Sequence, residues 1–64
     1  MRVAITMKAA RVNANLTQTE AANALNISKN TLVNYETGKS VPKIDVAKRM
    51  ANLYGLTVND IKFF

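Results

Sequence analysis

The sequence predicts an all-α fold, a compact bundle of four to five short helices. Apolar residues recur three and four positions apart along most of the chain, which is the spacing of one face of a helix. Residues that favour helix starts and helix ends divide these stretches into short segments. With 64 residues and no cysteine, the chain can form one small core that no disulfide supports. We therefore expect residues 1–64 to form a single domain.

The clearest signals lie between residues 17 and 39, which predict two short helices joined by a tight turn. Thr17 and Glu20 have the spacing of a capping box, in which each side chain satisfies a backbone N–H of the other residue. Ser28 is a good N-cap for the second of these helices. Gly38 is expected to end it, because the left-handed conformation at this position costs other residues more.

The turn between these two helices falls at Asn26 and Ile27. Asparagine tolerates the left-handed conformation better than most residues, so it can replace the more usual glycine there. Ile27 is expected to plug the turn from the inside. The stretch should therefore form a compact pair of helices.

Three further segments complete the predicted bundle. A first helix is expected over residues 6 to about 13, a fourth over about 43 to 54, and one last turn over 57–61. Residues 1–5 are short and alternating, so they form either an extended arm or a frayed end. Every element is thus expected to be helical. The fourth helix should bury one apolar stripe, formed by Val46, Ala47, Met50, Leu53 and Tyr54.

The chain is strongly basic, with nine Lys and Arg residues against four acids and a formal net charge of +5. This balance favours a polyanionic partner, either nucleic acid or an anionic membrane surface, although a soluble protein can also simply be basic. No predicted helix combines a basic face with a broad apolar one, which argues against a membrane. Without an export signal or an apolar run of about 20 residues, the chain is expected to be cytoplasmic.

The composition also argues against an enzyme or a metal protein. The chain has no histidine and no cysteine, which removes the commonest general base and the commonest metal ligands. The carboxylates of Glu20, Glu36 and Asp45 are each accounted for at a helix end or in an ion pair. We therefore expect no catalytic residue, no cofactor and no metal.

The helix that begins after Ser28 has two unlike faces at about 100° per residue. Leu32, Tyr35 and Glu36 fall on one side, and the other side carries Lys29, Asn30, Val33 and Asn34. Lysine and asparagine can form hydrogen bonds with base edges in the major groove of DNA. Two helices with a short turn therefore suggest a helix-turn-helix. The alternative is an ordinary helical hairpin with a solvated polar face.

An ordered set of residues resembles the Xre family, small prokaryotic and phage regulators built on the Cro and repressor N-terminal domain. The resemblance runs from about residue 7 to 61. The ending LYGLTVNDIKFF further resembles short single-domain Xre proteins from phages and mobile elements of Gram-positive bacteria. The residues that carry it are Arg11, Thr17-Gln18, Ala22, Leu25, Ile27-Ser28, Tyr35-Glu36, Gly38-Lys39 and Pro42.

The resemblance implies a lambda-repressor-like bundle of five helices, in which the helix after Ser28 enters the major groove. Lysine suits guanine O6 and N7, asparagine suits adenine, and Val33 could touch a thymine methyl group. The implied base contacts are Ser28, Lys29, Asn30 and Asn34. The implied phosphate contacts are Thr17, Gln18, Thr31, Lys39, Ser40 and Lys43. The other basic residues are expected to be plain surface charge, namely Lys8, Lys48, Arg49 and Lys62.

Glu36 and Arg11 are expected to form a structural ion pair. A carboxylate near the end of a helix opposes the helix dipole, and beside DNA it would repel phosphate, so Glu36 needs a cation. Arg11 lies within the apolar stripe of the first helix, so it needs an anion. The family pairs these two positions. We expect the pair to be partly buried and to join the first helix to the end of the third.

The expected function is sequence-specific regulation of transcription, as a repressor or an activator that binds a palindromic operator in double-stranded DNA. A homodimer is expected, because one domain reads only a few base pairs. Tyr54, Phe63 and Phe64 are candidates for the contact between protomers, unless they pack onto the core of their own domain. The alternative is a protein-interaction module, such as an antitoxin or adaptor, built on the same scaffold.

Overall fold

The computed structural model of this protein describes residues 3–63. Four α-helices account for most of this part of the chain, and one 3₁₀ turn follows them at Val58–Asp60. This order confirms the predicted all-α bundle, and the last turn expected over 57–61 is present as this 3₁₀ turn. It stands where the family resemblance implied a fifth helix. The helices are α1 (Met7–Asn13), α2 (Gln18–Leu25), α3 (Lys29–Thr37) and α4 (Ile44–Leu53).

The expectation that every element is helical is wrong at the two ends of the chain. Strand β1 (Ile5–Thr6) pairs in parallel with β2 (Ile61–Lys62), and Ile5 lies opposite Ile61. Both isoleucines pack with the hydrophobic core. The pairing also satisfies backbone groups that run beside that core, where water is scarce. Of residues 1–5, expected to form either an extended arm or a frayed end, Ile5 belongs to this strand, and residues 1 and 2 lie outside the described part.

The predicted caps begin three of the four helices. Thr6, Thr17 and Ser28 each accept a hydrogen bond from the backbone N–H three residues later, at 3.1, 3.1 and 3.0 Å. The backbone N–H of Thr17 also donates to Glu20 Oε1 at 2.9 Å, which completes the capping box. Hydrogen bonds from Thr17, first from its backbone, lower the pKa of the Glu20 carboxyl.

All four helices end in the same way, with a left-handed residue followed by a hydrogen bond that reaches back five residues. The left-handed residues are Asn15, Asn26, Gly38 and Gly55, with φ of 60°, 58°, 84° and 75°. This pattern is the Schellman motif, in which the N–H after the left-handed residue satisfies a free carbonyl of the last turn. The closing bonds run from Leu16 to Arg11 (3.3 Å), Ile27 to Ala22 (3.0 Å), Lys39 to Asn34 (2.9 Å) and Leu56 to Ala51 (2.8 Å). The conformation expected at Asn26 is confirmed, whereas the one at Asn15 was not predicted.

The core lies where α2, α3 and α4 meet. Leu25, Leu32 and Met50 are its largest fully buried side chains. Alanines fill much of the remaining interior, so neighbouring helices can approach closely. They are Ala10, Ala21, Ala22, Ala47 and Ala51.

Arg49 is not plain surface charge, as had been expected. Its guanidinium donates from Nη2 to the backbone carbonyl of Leu25. Leu25 is the last residue of α2, where helix geometry leaves carbonyls without a partner. Arg49 therefore caps α2 from α4 and fixes α4 against the turn between α2 and α3.

Two of the three aromatic residues proposed for a protomer contact, Tyr54 and Phe63, pack onto the core of their own chain. Tyr54 is buried in the core, which excludes it as a contact between protomers in this conformation. Phe63 is half-buried and lies against the same core. Phe64 lies outside the described residues. Within residues 3–63, no helix is both long and apolar enough to cross a membrane.

Candidate nucleic-acid interface

Helix α3 has one face that packs against the core and, opposite to it, an open face that carries Lys29, Asn30 and Asn34. Leu32 is completely buried and Tyr35 packs partly against the core, so these two residues hold the helix in place. Lys29 and Asn30 are exposed, and Asn34 is half-buried. Among the described residues, the structure gives none of the side chains of Lys29, Asn30 and Asn34 a hydrogen-bonding partner. Their donors and acceptors are therefore free for a ligand.

Ser28 and Thr31 are already used within the helix. The Ser28 hydroxyl accepts a hydrogen bond from the Thr31 backbone N–H at 3.0 Å and shares one of 2.7 Å with the Thr31 hydroxyl. The pair stands at the start of α3, next to Lys29 and Asn30. Ser28 thus acts first as the cap of α3, and any contact with a base would use what remains of its hydrogen-bonding capacity.

The predicted phosphate contacts lie on both sides of α3 along the chain. Lys39, Ser40 and Lys43 are exposed in the loop that follows it. Thr17 and Gln18 stand at the start of α2, where free backbone N–H groups and the helix dipole favour an anion. The Thr17 hydroxyl is used by the capping box. Gln18 is half-buried and its amide has turned towards the protein.

Lys39 occupies a position that favours an apolar residue elsewhere in this protein. After α1, α2 and α4, the residue that follows the left-handed position is Leu16, Ile27 or Leu56, and each packs against the core. An apolar contact of this kind commonly accompanies the Schellman motif. After α3 the same position holds Lys39, which is exposed. At the end of α3, an exposed positive charge therefore stands where the other three helices have an apolar contact with the core.

A buried polar cluster lies behind the open face. Arg11 Nε donates to Glu36 Oε2 at 2.7 Å, and Arg11 Nη2 donates to Glu36 Oε1 at 3.3 Å. The side chains of Arg11 and Glu36 are only 8% and 3% exposed. The structure thus contains the expected ion pair, and the pair is more deeply buried than expected. Arg11 Nη1 also donates to the Leu16 carbonyl at 2.8 Å, which brings in the loop between α1 and α2.

The same cluster includes Gln18, which the sequence did not place there. Gln18 Nε2 donates to Glu36 Oε1 at 3.1 Å. One carboxylate therefore joins α1 through Arg11, the start of α2 through Gln18, and the end of α3 to which it belongs. A polar residue just inside a helix start is a common pattern, so nothing in the sequence distinguished Gln18 as a partner of Glu36.

Tyr54 brings an unused hydroxyl close to this cluster. Among residues 3–63, its buried hydroxyl has no hydrogen-bonding partner. Burial, followed by the nearby negative charge of Glu36, raises the pKa of Tyr54 to about 12, against an opposing effect of Arg11. The hydroxyl therefore stays protonated at neutral pH.

One depression of the described surface is small for a ligand site. A half-open depression of about 210 Å³ lies between the strand pair and the end of α3, and Tyr35, Glu36 and Lys62 contribute to its lining. Ligand pockets are usually larger, at about 300–1,000 Å³. No cluster of metal-ligating side chains occurs within the described range.

Comparisons with known proteins identify relatives that are named as regulators of transcription. The cryptic phage CTXphi transcriptional repressor RstR of Vibrio cholerae is 35% identical over 51 residues, which cover 80% of this chain and 46% of the relative. The HTH-type transcriptional regulator ImmR of Bacillus subtilis is 42% identical over 53 residues, 83% of this chain and 42% of its own. An uncharacterized HTH-type transcriptional regulator of Methanocaldococcus jannaschii is 36% identical over 47 residues, 73% of this chain and 71% of its own.

This chain spans less than half the length of the first two relatives. The three organisms are not closely related, so they give no support for the expected restriction to Gram-positive hosts. No solved structure gives a significant match. The profile of the family described as Helix-turn-helix (HTH_3) matches residues 7–61. The chain therefore belongs to this helix-turn-helix family, the Xre type of domain that its residues resemble.

Proposed function

We propose that this protein is a DNA-binding regulator of transcription that reads the major groove with α3. The observation that carries this proposal is the contrast within α3. Leu32 is fully buried, whereas the side chains of Lys29, Asn30 and Asn34 have no partner in the described part of the chain. A helix held firmly from behind, with free amides and a free ammonium group in front, has the features needed for base recognition.

The surroundings of α3 support a polyanionic partner. The chain carries a net charge of +5, and Lys39, Ser40 and Lys43 are exposed in the loop next to the helix. Of the four acids, Glu36 is neutralised by Arg11 and the other three lie outside α3 and this loop. Glu20 stands at the start of α2, where its carboxylate accepts the Thr17 backbone N–H. We assign phosphate contacts to these three loop residues, to Thr31, and to Thr17 and Gln18 at the start of α2. Such contacts set the position on DNA but carry no sequence information.

The relatives favour regulation of transcription over other uses of a DNA-binding domain. The names of all three describe transcriptional regulators, and one of them is called a phage transcriptional repressor. We propose that this chain likewise regulates a promoter, as a repressor or an activator, in the cytoplasm of its host. Two copies would bind a palindromic operator with half-sites about one helical turn apart.

Selection from randomised duplex DNA at fixed salt tests the proposal. The selected site should bind at least about 10³-fold more tightly than a scrambled duplex. Lys29→Ala and Asn30→Ala should each reduce this ratio by about tenfold or more, because each removes a base contact. Lys48→Ala is the matched control, since it removes an exposed lysine of α4 and should leave the ratio unchanged.

Two results would contradict the assignment. A ratio that Lys29→Ala and Asn30→Ala leave unchanged would mean that α3 does not read bases. A ratio near one for the unaltered protein would instead favour the protein-interaction module. Loss of affinity with added salt does not discriminate, because specific and non-specific binding both show it.

A further inference from the structure

The Glu36 carboxylate accepts three hydrogen bonds, two from Arg11 and one from Gln18. Arg11 already contacts both of its oxygens, at 2.7 and 3.3 Å, and so balances its charge. Gln18 adds a third bond at 3.1 Å from the start of α2. The bond from Gln18 satisfies a further lone pair of this buried carboxylate, and it also has a consequence for Gln18 itself.

The bond to Glu36 fixes which way the Gln18 amide faces. A carboxylate only accepts hydrogen bonds, so the amide nitrogen must be the atom that lies against Glu36. That nitrogen carries two hydrogens, and Glu36 takes one of them. The second hydrogen has no partner within the described residues.

The position of Gln18 brings this second hydrogen close to the expected path of the DNA backbone. Gln18 is the first residue of α2 and only half-buried. The capping box uses the backbone N–H groups of Thr17 and Glu20. The N–H groups of Gln18 and Thr19 remain, since the first turn of a helix offers them no carbonyl. A phosphate held there would meet these groups and the free amide hydrogen together.

We propose that Glu36 is a positioning residue for DNA binding, which holds the Gln18 amide in the orientation that donates to a phosphate. The inference rests on the proposed function and adds a role to a residue expected to be purely structural. Because Glu36 belongs to α3 and Gln18 to α2, the bond also fixes the phosphate contact relative to the reading helix. Arg11 makes the arrangement possible, since an unpaired carboxylate at this place would repel the phosphate.

Gln18→Met tests the contact itself. Methionine has nearly the same shape but cannot donate, so affinity should fall about tenfold or more, as expected for a hydrogen bond to a charged group. The loss should be equal for the selected and the scrambled duplex, and the dependence of affinity on salt should not change, because no charge is removed. Asn23→Leu is the control, since it removes an exposed amide from the same helix and should have no effect.

A double-mutant cycle with Glu36→Gln tests the positioning role, with the folded fraction of each variant measured by circular dichroism. If Glu36 acts through Gln18, the double variant should bind no more than about twofold more weakly than Gln18→Met. If the double variant instead lost about a hundredfold in DNA affinity, the product of the losses of the two single variants, the inference would be overturned. If Glu36 contributed only to stability, the losses of DNA affinity in the two single variants would be independent of each other.

A second measurement needs only the unaltered protein and covers the case in which Glu36→Gln does not fold. Gln18 is the only glutamine in the chain, so its side-chain amide can be followed by NMR. Two well-separated proton signals are expected, and the one not bonded to Glu36 should shift when duplex DNA is added. If these signals stay unchanged on DNA binding, or if Gln18→Met leaves the affinity unaltered, the inference about Glu36 is overturned and the proposed function is not affected. An unaltered protein without preference for the selected duplex would overturn the proposed function as well.

Discussion

Replacement of Arg11 by methionine should be among the most damaging single changes to the stability of this domain. Arg11 makes three hydrogen bonds, two to Glu36 and one to the Leu16 carbonyl. Arg11→Met would leave a carboxylate that is 3% exposed with Gln18 as its remaining donor. Breaking a buried ion pair by removing one partner costs about 3–5 kcal/mol.

That cost is large for so small a protein. Domains are stable by about 0.05–0.15 kcal/mol per residue, which corresponds to about 3–10 kcal/mol for the 64 residues of this chain. Arg11→Met should therefore lower the free energy of unfolding by about 3 kcal/mol or more. Urea denaturation followed by circular dichroism measures the change.

Two companion variants make the measurement decisive. Arg11→Met combined with Glu36→Leu should recover most of the loss, because apolar residues that replace a whole buried pair are often neutral or stabilising. Arg49→Met is the matched control, which removes one hydrogen bond to a carbonyl and should cost about 1–2 kcal/mol. A loss below about 1 kcal/mol for Arg11→Met would refute the reasoning, since only exposed pairs are worth so little.

Three further predictions concern other parts of the structure. Tyr54→Phe should change stability little at pH 7, because the hydroxyl has no partner in the described part of the chain. Burial raises the pKa of Tyr54 to about 12, so the stability contributed by its protonated hydroxyl is complete below pH 10 and is lost between pH 10 and 12. Tyr54→Phe should remove this part of the stability loss in alkaline denaturation. Identical pH profiles for the variant and the unaltered protein would contradict the assignment. Lys39→Leu should raise the melting temperature slightly, because it would add the apolar contact found after the other helices. The same change should lower DNA affinity and reduce the slope of its salt dependence by about 1. A slope equal to that of the unaltered protein would mean that Lys39 contacts no phosphate. Asn26→Ala should cost about 1 kcal/mol in chemical denaturation, since φ is 58° at this position, whereas Asn26→Gly should be neutral or stabilising; equal effects of the two would argue against left-handed strain.

The sequence predicted the features that depend on neighbouring residues. The caps at Thr6, Thr17 and Ser28 follow from side chains that act within their own first turn, so local patterns were sufficient. The pairing of Arg11 with Glu36 was also predictable, because each is a charge in a place that its own helix makes unfavourable and because the family pairs them.

The features that were missed depend on residues far apart in the chain. The strands at Ile5–Thr6 and Ile61–Lys62 contain two residues each, too few to show any periodicity. The bonds from Gln18 to Glu36 and from Arg49 to the Leu25 carbonyl join residues whose own surroundings require no partner. Asn15 was missed for a different reason, since asparagine adopts the left-handed conformation only in a minority of its occurrences.

The strand pair has a consequence for the order in which the molecule assembles. Each helix carries its own stop within a few residues, so the helices can reach their final length before any distant part of the chain arrives. Joining Ile5 to Ile61, by contrast, brings together residues that are far apart in the sequence, and the entropy of closing so long a loop is repaid only once the core has formed. We therefore expect this pairing to form last and to open first, with amide hydrogens that exchange before those of α2 and α4.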